Sequence, residues 1–186
     1  MNKLSLEVYR DKIFSIENVW LEEAIETAQK RRDYHANLGS KNHWYDPDKG
    51  QYADEIFGSL GQIVFREKIK DLGLEKNSKF APLYTNDLSE LPKWDAEVCG
   101  KSIEIKTIPP DTNVKRIRLL VKVSEFKNLD YYVAIKFWDS KTYSFCGFAT
   151  GSEIAKAQIR DFGYAPAYWL YIKELPHDLK DLYLGE

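Results

Sequence analysis

A chain of 186 residues with 44% apolar and 30% charged residues has the size and composition of one folded domain with a well-buried core. Its net charge of −2 gives no overall attraction to nucleic acid, so any phosphate affinity has to come from a local basic face. Cys99 and Cys146 make neither a disulfide framework nor a zinc motif, no apolar run is long enough to cross a membrane, and residues 1–10 lack the apolar centre of a signal peptide. The default expectation is a cytoplasmic protein with no membrane partner, in which Cys99, beside a strand, is a buried free thiol.

In chain order, residues 17–38 pattern as a charged amphipathic helix with Gly39 as its stop. A polar, turn-rich loop follows over residues 39–53, with His35 just before it and His43 within it. The three histidines lack metal-ligand spacing, which argues against zinc. A second helix is expected from Asp54 to Leu72, with Ile56, Leu60, Ile63, Val64 and Ile69 on its apolar stripe and Gly73 ending it. Gly58, Ser59 and Gly61 lower its helix propensity but permit close approach of a neighbouring element. Residues 74–93 have no regular pattern.

The remainder reads as a sheet, with candidate strands at 96–99, 101–107, 117–123, 131–138 and 142–149. Turns at Gly100-Lys101 and Asp139-Ser140-Lys141 join neighbours as hairpins. Ser152 is the expected cap of a helix running to Arg160, with Glu153 in its first turn, and 169–172 forms a last short strand. Aromatics at strand spacing, from Tyr131 to Phe148, suit core packing, whereas Tyr164, Tyr168 and Trp169 near the Gly163–Pro166 turn are placed to touch a partner. The expected class is α+β: one domain over 1–186, with an N-terminal helical extension and loop (1–53) and a core (54–175) of mixed sheet flanked by helices.

Within the sheet, Ile103 and Ile105 alternate with Glu104 and Lys106, so the two charged side chains share one strand face. Asp95 precedes them by one hairpin. Two acids and a lysine converging at a strand edge suit a hard divalent cation held beside a phosphodiester. An acid-x-Lys triplet is cheap by itself. Glu125-Phe126-Lys127 and Asp178-Leu179-Lys180 repeat it, and their positions near a turn and near the C-terminus mark them as solvated charge. Only the first lies in an alternating strand with an upstream Asp and a preceding glycine-containing helix.

That order resembles the PD-(D/E)xK nuclease superfamily, over roughly residues 52–175. Asp95 matches its first acid, Glu104 its second and Lys106 its lysine. The stretch Gly58 to Phe65, Asp130 to Val133 and Cys146 to Gly151 resemble small phage and bacterial members. The resemblance implies a restriction-endonuclease-like core and a Mg²⁺- or Mn²⁺-dependent nuclease, more specifically an endonuclease acting on DNA, in a host cytoplasm if phage-encoded. It implies Asp95, Glu104 and the Ile105 carbonyl as metal ligands and Lys106 as the residue that positions water or stabilises the transition state. Two positions depart from the pattern: Trp94 stands where the usual proline precedes the first acid, and Gln62 where a helix carboxylate is common. Gln62 offers an oxygen but no negative charge, and Glu55, two turns earlier on the same helix, is the substitute candidate.

Basic residues complete the set. Arg116, Arg118 and Lys122 alternate with apolar residues after the triplet and suit either phosphate contacts or a solvated strand face; Arg31 and Arg32 end the first helix as further candidates. A silent nuclease-fold binding module and an unrelated α+β interaction module remain the alternatives. A homodimer or a partner protein is the expected source of specificity, since the chain displays no base-reading module.

Overall fold

The computed structural model describes residues 13–37, 51–85, 91–110, 117–161, 163, 165–178 and 181–184. The expected loop with His43, the candidate Arg116 and Tyr164 lie outside them, as does the side chain of His35. The architecture is mixed α and β, as the sequence pattern predicts.

Helix α1 (Asn18–Asn37) and helix α2 (Gln51–Asp71) follow a short strand β1 (Ile13–Ser15). Ala24 and Ala28 are fully buried on α1. Arg66 of α2 clamps Glu23 of α1 through both carboxylate oxygens at 3.1 and 2.9 Å, a fork geometry that only arginine supplies. Helix α2 ends where predicted: the Leu74 amide donates to Ile69 O, with Gly73 left-handed at φ 71°.

Six strands form one mixed sheet in the order β1-β7-β6-β4-β3-β2, from β2 (Ser78–Phe80), β3 (Ala96–Val98), β4 (Lys101–Ile108), β6 (Tyr131–Phe137) and β7 (Thr142–Thr150) with β1. All neighbours are antiparallel except β4 and β6, whose parallel pairing requires a crossover. That crossover contributes β5 (Arg118–Lys122) to a second sheet, of order β5-β9-β8, with β8 (Gln158–Asp161) and β9 (Pro166–Tyr171). A short helix α3 (Gly151–Lys156) joins the two sheets, and α4 (Asp181–Leu184) lies near the C-terminus.

Period two decides which side each residue serves. Ile103, Ile105, Val133, Ile135 and Phe137 pack with α1 and α2 residues in one core. Ile108, Tyr132, Ala134 and Ala149 face the opposite way and pack with Leu119 and Val121 of β5 in a second core. Helices therefore flank one face of the main sheet, while β5, β9 and α3 cover the other.

Four expectations are corrected. Thr150, not Ser152, caps α3: its hydroxyl accepts from the Glu153 amide at 3.2 Å, and the Glu153 carboxylate accepts from the Thr150 amide at 2.7 Å, a capping box. The helix stops at Lys156, and Gln158–Asp161 is strand because it pairs with β9. The 74–93 stretch contains strand β2, paired with β3. Cys99 is exposed rather than buried, because with Gly100 it forms the two-residue turn between β3 and β4, at φ 50° and 78°.

Candidate active site at the β3–β4 hairpin

Asp95 enters the site on the backbone that leads into β3. Its amide donates to Ile103 O and its carbonyl accepts from the Ala81 amide, each at 2.9 Å, so both neighbours hold the chain. The side chain is then gripped twice. Gln62 Nε2 donates to Oδ1 at 2.6 Å, and the Ile105 amide donates to Oδ2 at 2.7 Å.

Gln62 reaches Asp95 because α2 lies unusually close to β4. A Cβ built on Gly61 would stand 2.2 Å from Thr107 Cγ2, which only glycine avoids without a shift. The small-residue stretch of the second helix thus permits the close approach its composition suggests. Since a carboxylate only accepts, Gln62 must present its NH₂ to Asp95. Its Oε1 then lies buried with no hydrogen-bond partner among the described residues.

Glu104 and Lys106 leave β4 on the face away from α2, as strand alternation requires. Glu104 is buried, with 8% exposure. Lys106 Nζ donates to its Oε1 at 3.0 Å, and Lys127 Nζ donates to its Oε2 at 3.0 Å. Lys127 belongs to a triplet expected to be solvated charge; Glu125 is exposed, but Lys127 is drawn onto buried Glu104. Its backbone is pinned by Tyr132 on β6: the Lys127 amide donates to the phenol oxygen at 3.0 Å, and the phenol donates to Lys127 O. Phe126 stacks on Tyr132 at 6.0 Å between centroids, which fixes the same turn. Glu125 of that triplet lies 3.9 Å from Lys106 Nζ and 2.7 Å from Lys122 Nζ.

Burial raises the Asp95 carboxyl, and the nearby Glu104 charge raises it further, to about 6, against the lowering effect of the Ile105 amide and the two lysines. The two acids therefore share one electrostatic site. Arg31 lies on its rim: it donates to Leu83 O through Nε at 3.0 Å and Nη2 at 2.6 Å. Burial lowers the Arg31 pKa while Glu55 and Asp95 raise it. Glu55 lines a cavity of about 280 Å³ with Arg31, Tyr34 and Tyr84, outside the Asp95–Glu104 pair. Arg32 is half-buried on α1. Arg118 and Lys122 lie on β5, on the outer face of the second sheet.

The donors present fit a hard cation. They are two mutually repelling carboxylates and one buried amide oxygen that lacks a partner among the described residues. Among the described residues no three His, Cys, Asp or Glu side chains form a metal-holding group. Mg²⁺ needs no such cage, since it keeps waters and substrate phosphates around one or two carboxylates.

Comparison with known protein families, with curated proteins and with solved structures gives no match.

Proposed function

We propose that this protein is a metal-dependent nuclease that hydrolyses DNA phosphodiester bonds, with a PD-(D/E)xK-type site at Asp95, Glu104 and Lys106. The observation that supports it best is the placement of Asp95, held on the Ile105 amide at 2.7 Å, beside buried Glu104, whose two oxygens take Lys106 and Lys127 at 3.0 Å each. The four strands β3, β4, β6 and β7, with α2 on one face, are consistent with a restriction-endonuclease-like core. The described part of the crossover between β4 and β6 runs through β5 and a short 3-10 turn at Val123–Glu125, a variation on that plan.

In this reading Asp95 and Glu104, with the Ile105 carbonyl, would hold Mg²⁺ or Mn²⁺, whose chemistry is to acidify bound water and neutralise phosphate charge. Gln62 and the Ile105 amide keep the Asp95 oxygens oriented without any side-chain rearrangement. Lys106 and Lys127 are compact charges that exchange Glu104 for a phosphate oxygen as negative charge develops there. A plasmid-nicking assay with Mg²⁺ or Mn²⁺ tests the proposal. Activity is expected in the wild type and lost in Glu104→Ala and Lys106→Ala at unchanged folding; activity surviving both substitutions would sink it.

The two lysines on Glu104 also favour a second reading, a silent nuclease-fold protein that binds nucleic acid or protein. Titration calorimetry separates them: the silent protein takes up no Mn²⁺ at this site, whereas the nuclease does so and loses uptake in Glu104→Ala.

A further inference from the structure

The outer face of the three-stranded sheet carries aromatic rings where a solvated sheet face needs none. Register places Arg118 opposite Tyr171, Leu120 opposite Trp169, and Gln158 opposite Trp169 from the other side. Directly opposed residues point to the same face, so these side chains lie together, while Leu119, Val121 and Tyr168 point into the core. Tyr168 therefore packs against the second core, and Trp169, half-buried, lies on the outer face.

The Arg118 guanidinium sits 5.3 Å from the Trp169 ring and 5.4 Å from that of Tyr171, and Lys173 Nζ lies 5.5 Å from Tyr171. The two rings meet edge to face at 5.0 Å. Leu120 beside them is 40% exposed. Arg160 and Lys122 flank the same face through their pairing with Ala167.

We propose that this face binds single-stranded nucleic acid, with bases stacking on Trp169 and Tyr171 and phosphates meeting the arginines and lysines around them. The chemistry is complementary on both counts. Exposed bases offer flat π surfaces to aromatic rings and guanidinium planes, and a duplex does not, because its bases are already stacked. Glu125 and Glu174 lie beside Lys122 and Lys173, so the net charge of the face is modest. Stacking therefore supplies more of the affinity than phosphate contact, and the salt dependence is shallow. The face also borders the carboxylate site: Lys122 contacts Glu125, and Glu125 lies 3.9 Å from Lys106. That the bound strand is the substrate delivered to Asp95 and Glu104 rests on the nuclease reading; binding itself does not.

The test is fluorescence anisotropy of labelled oligothymidylate and oligouridylate with the full chain in EDTA, which stops any metal-dependent cleavage. Trp169→Ala and Tyr171→Ala are expected to weaken binding about tenfold or more each, at matched circular dichroism and melting temperature. Trp169→Phe, which keeps a ring, is expected to retain most of the affinity, and Lys79→Ala on the distant strand β2 to leave it unchanged. Binding of either oligonucleotide supports the face. Wild-type affinity in Trp169→Ala overturns the proposal, as does equal affinity for duplex. Self-association abolished by Trp169→Ala, with no oligonucleotide bound, overturns it in favour of a dimer interface. Loss of binding in these variants together with no nicking by the wild type would leave this face standing and remove the nuclease reading.

Discussion

Gln62 donates its amide hydrogen to Asp95 at 2.6 Å, and in doing so it leaves its own oxygen buried without a partner among the described residues. The bond joins the middle of α2 to the entry of β3, and it orients one carboxylate beside another. Asp95 is raised to about 6 by burial and by Glu104, so the pair is held at a cost in stability.

The pH dependence follows from that cost. In the unfolded chain Asp95 ionises near 3.8, and in the folded chain near 6, so between these values the folded state binds more protons. Stability contributed by this residue is therefore present at acid pH and is lost as pH rises from about 4 to 6. Once both states are ionised the penalty is on the order of 3 kcal/mol. Asp95→Asn removes it, and a rotated Gln62 amide can still pair with the new carboxamide. The variant is expected to melt higher than the wild type at pH 7, with the difference vanishing by pH 4. A variant that melts lower at both pH values would show that the two acids do not repel in the folded protein.

Lys127 is expected to matter as much as the triplet lysine. Its ammonium balances the second oxygen of a buried glutamate, yet the lysine itself is 39% exposed, so its removal should cost no more than about 1 kcal/mol of stability. Under the nuclease proposal the catalytic cost is larger, about tenfold to a hundredfold in rate, since a preorganised cation at the developing charge is lost. Tyr132→Phe, which frees the Lys127 backbone at both its N–H and its C=O, should reproduce part of that rate loss. Single-turnover cleavage by the two variants, compared with their melting temperatures, separates the effects. Equal rates in wild type and Lys127→Ala would leave Lys106 as the sole working lysine.

The exposed turn at Cys99 offers a direct chemical readout. A left-handed conformation at φ 50° is strained for cysteine and comfortable for asparagine, the usual first residue of this turn type. Cys99→Asn is expected to raise stability by about 0.5–1 kcal/mol in a urea titration. In the native wild type, a thiol reagent should modify Cys99 at once and half-buried Cys146 more slowly. Two equally slow thiols would contradict the turn.

The parts of this site legible in the sequence are those governed by short-range periodicity. Alternation in β4 placed Glu104 and Lys106 on one face and the isoleucines on the other, and Gly58, Ser59 and Gly61 allowed a close approach of some neighbour, which the structure makes at Gly61, against Thr107 of β4. Lys127 was not legible. It reaches Glu104 only because Tyr132, on the parallel neighbour of β4, fixes the turn that carries it, and a parallel register has no local signature. Strands β1 and β2 span three residues each, too few to show a period. The 158–161 segment continues from a good helix start, and only its pairing with β9 makes it strand. Cys99 sits one residue past a strand end, where a shift of a single position exchanges buried for exposed.

The distance between α2 and β4 should control the whole arrangement, because Gln62 follows Gly61 directly. Alanine at 61 would gain up to about 1 kcal/mol of helix propensity but press a methyl group to 2.2 Å from Thr107 Cγ2. The clash is expected to win, with a net loss of about 1–3 kcal/mol as helix and strand move apart. The offending atom is one methyl group, so Gly61→Ala combined with Thr107→Ser should recover at least half of the loss, since the next contact, Ile105 Cγ2, lies at an ordinary 3.5 Å. A double-mutant cycle by urea denaturation is expected to give a coupling above about 1 kcal/mol. Additive effects would mean that the helix and strand are not in contact at this point, and the grip of Gln62 on Asp95 would then need another explanation. If the coupling is present, then under the nuclease proposal the single variant should also weaken Mn²⁺ uptake and the double variant restore it, because the carboxylate is oriented only while the helix stays close.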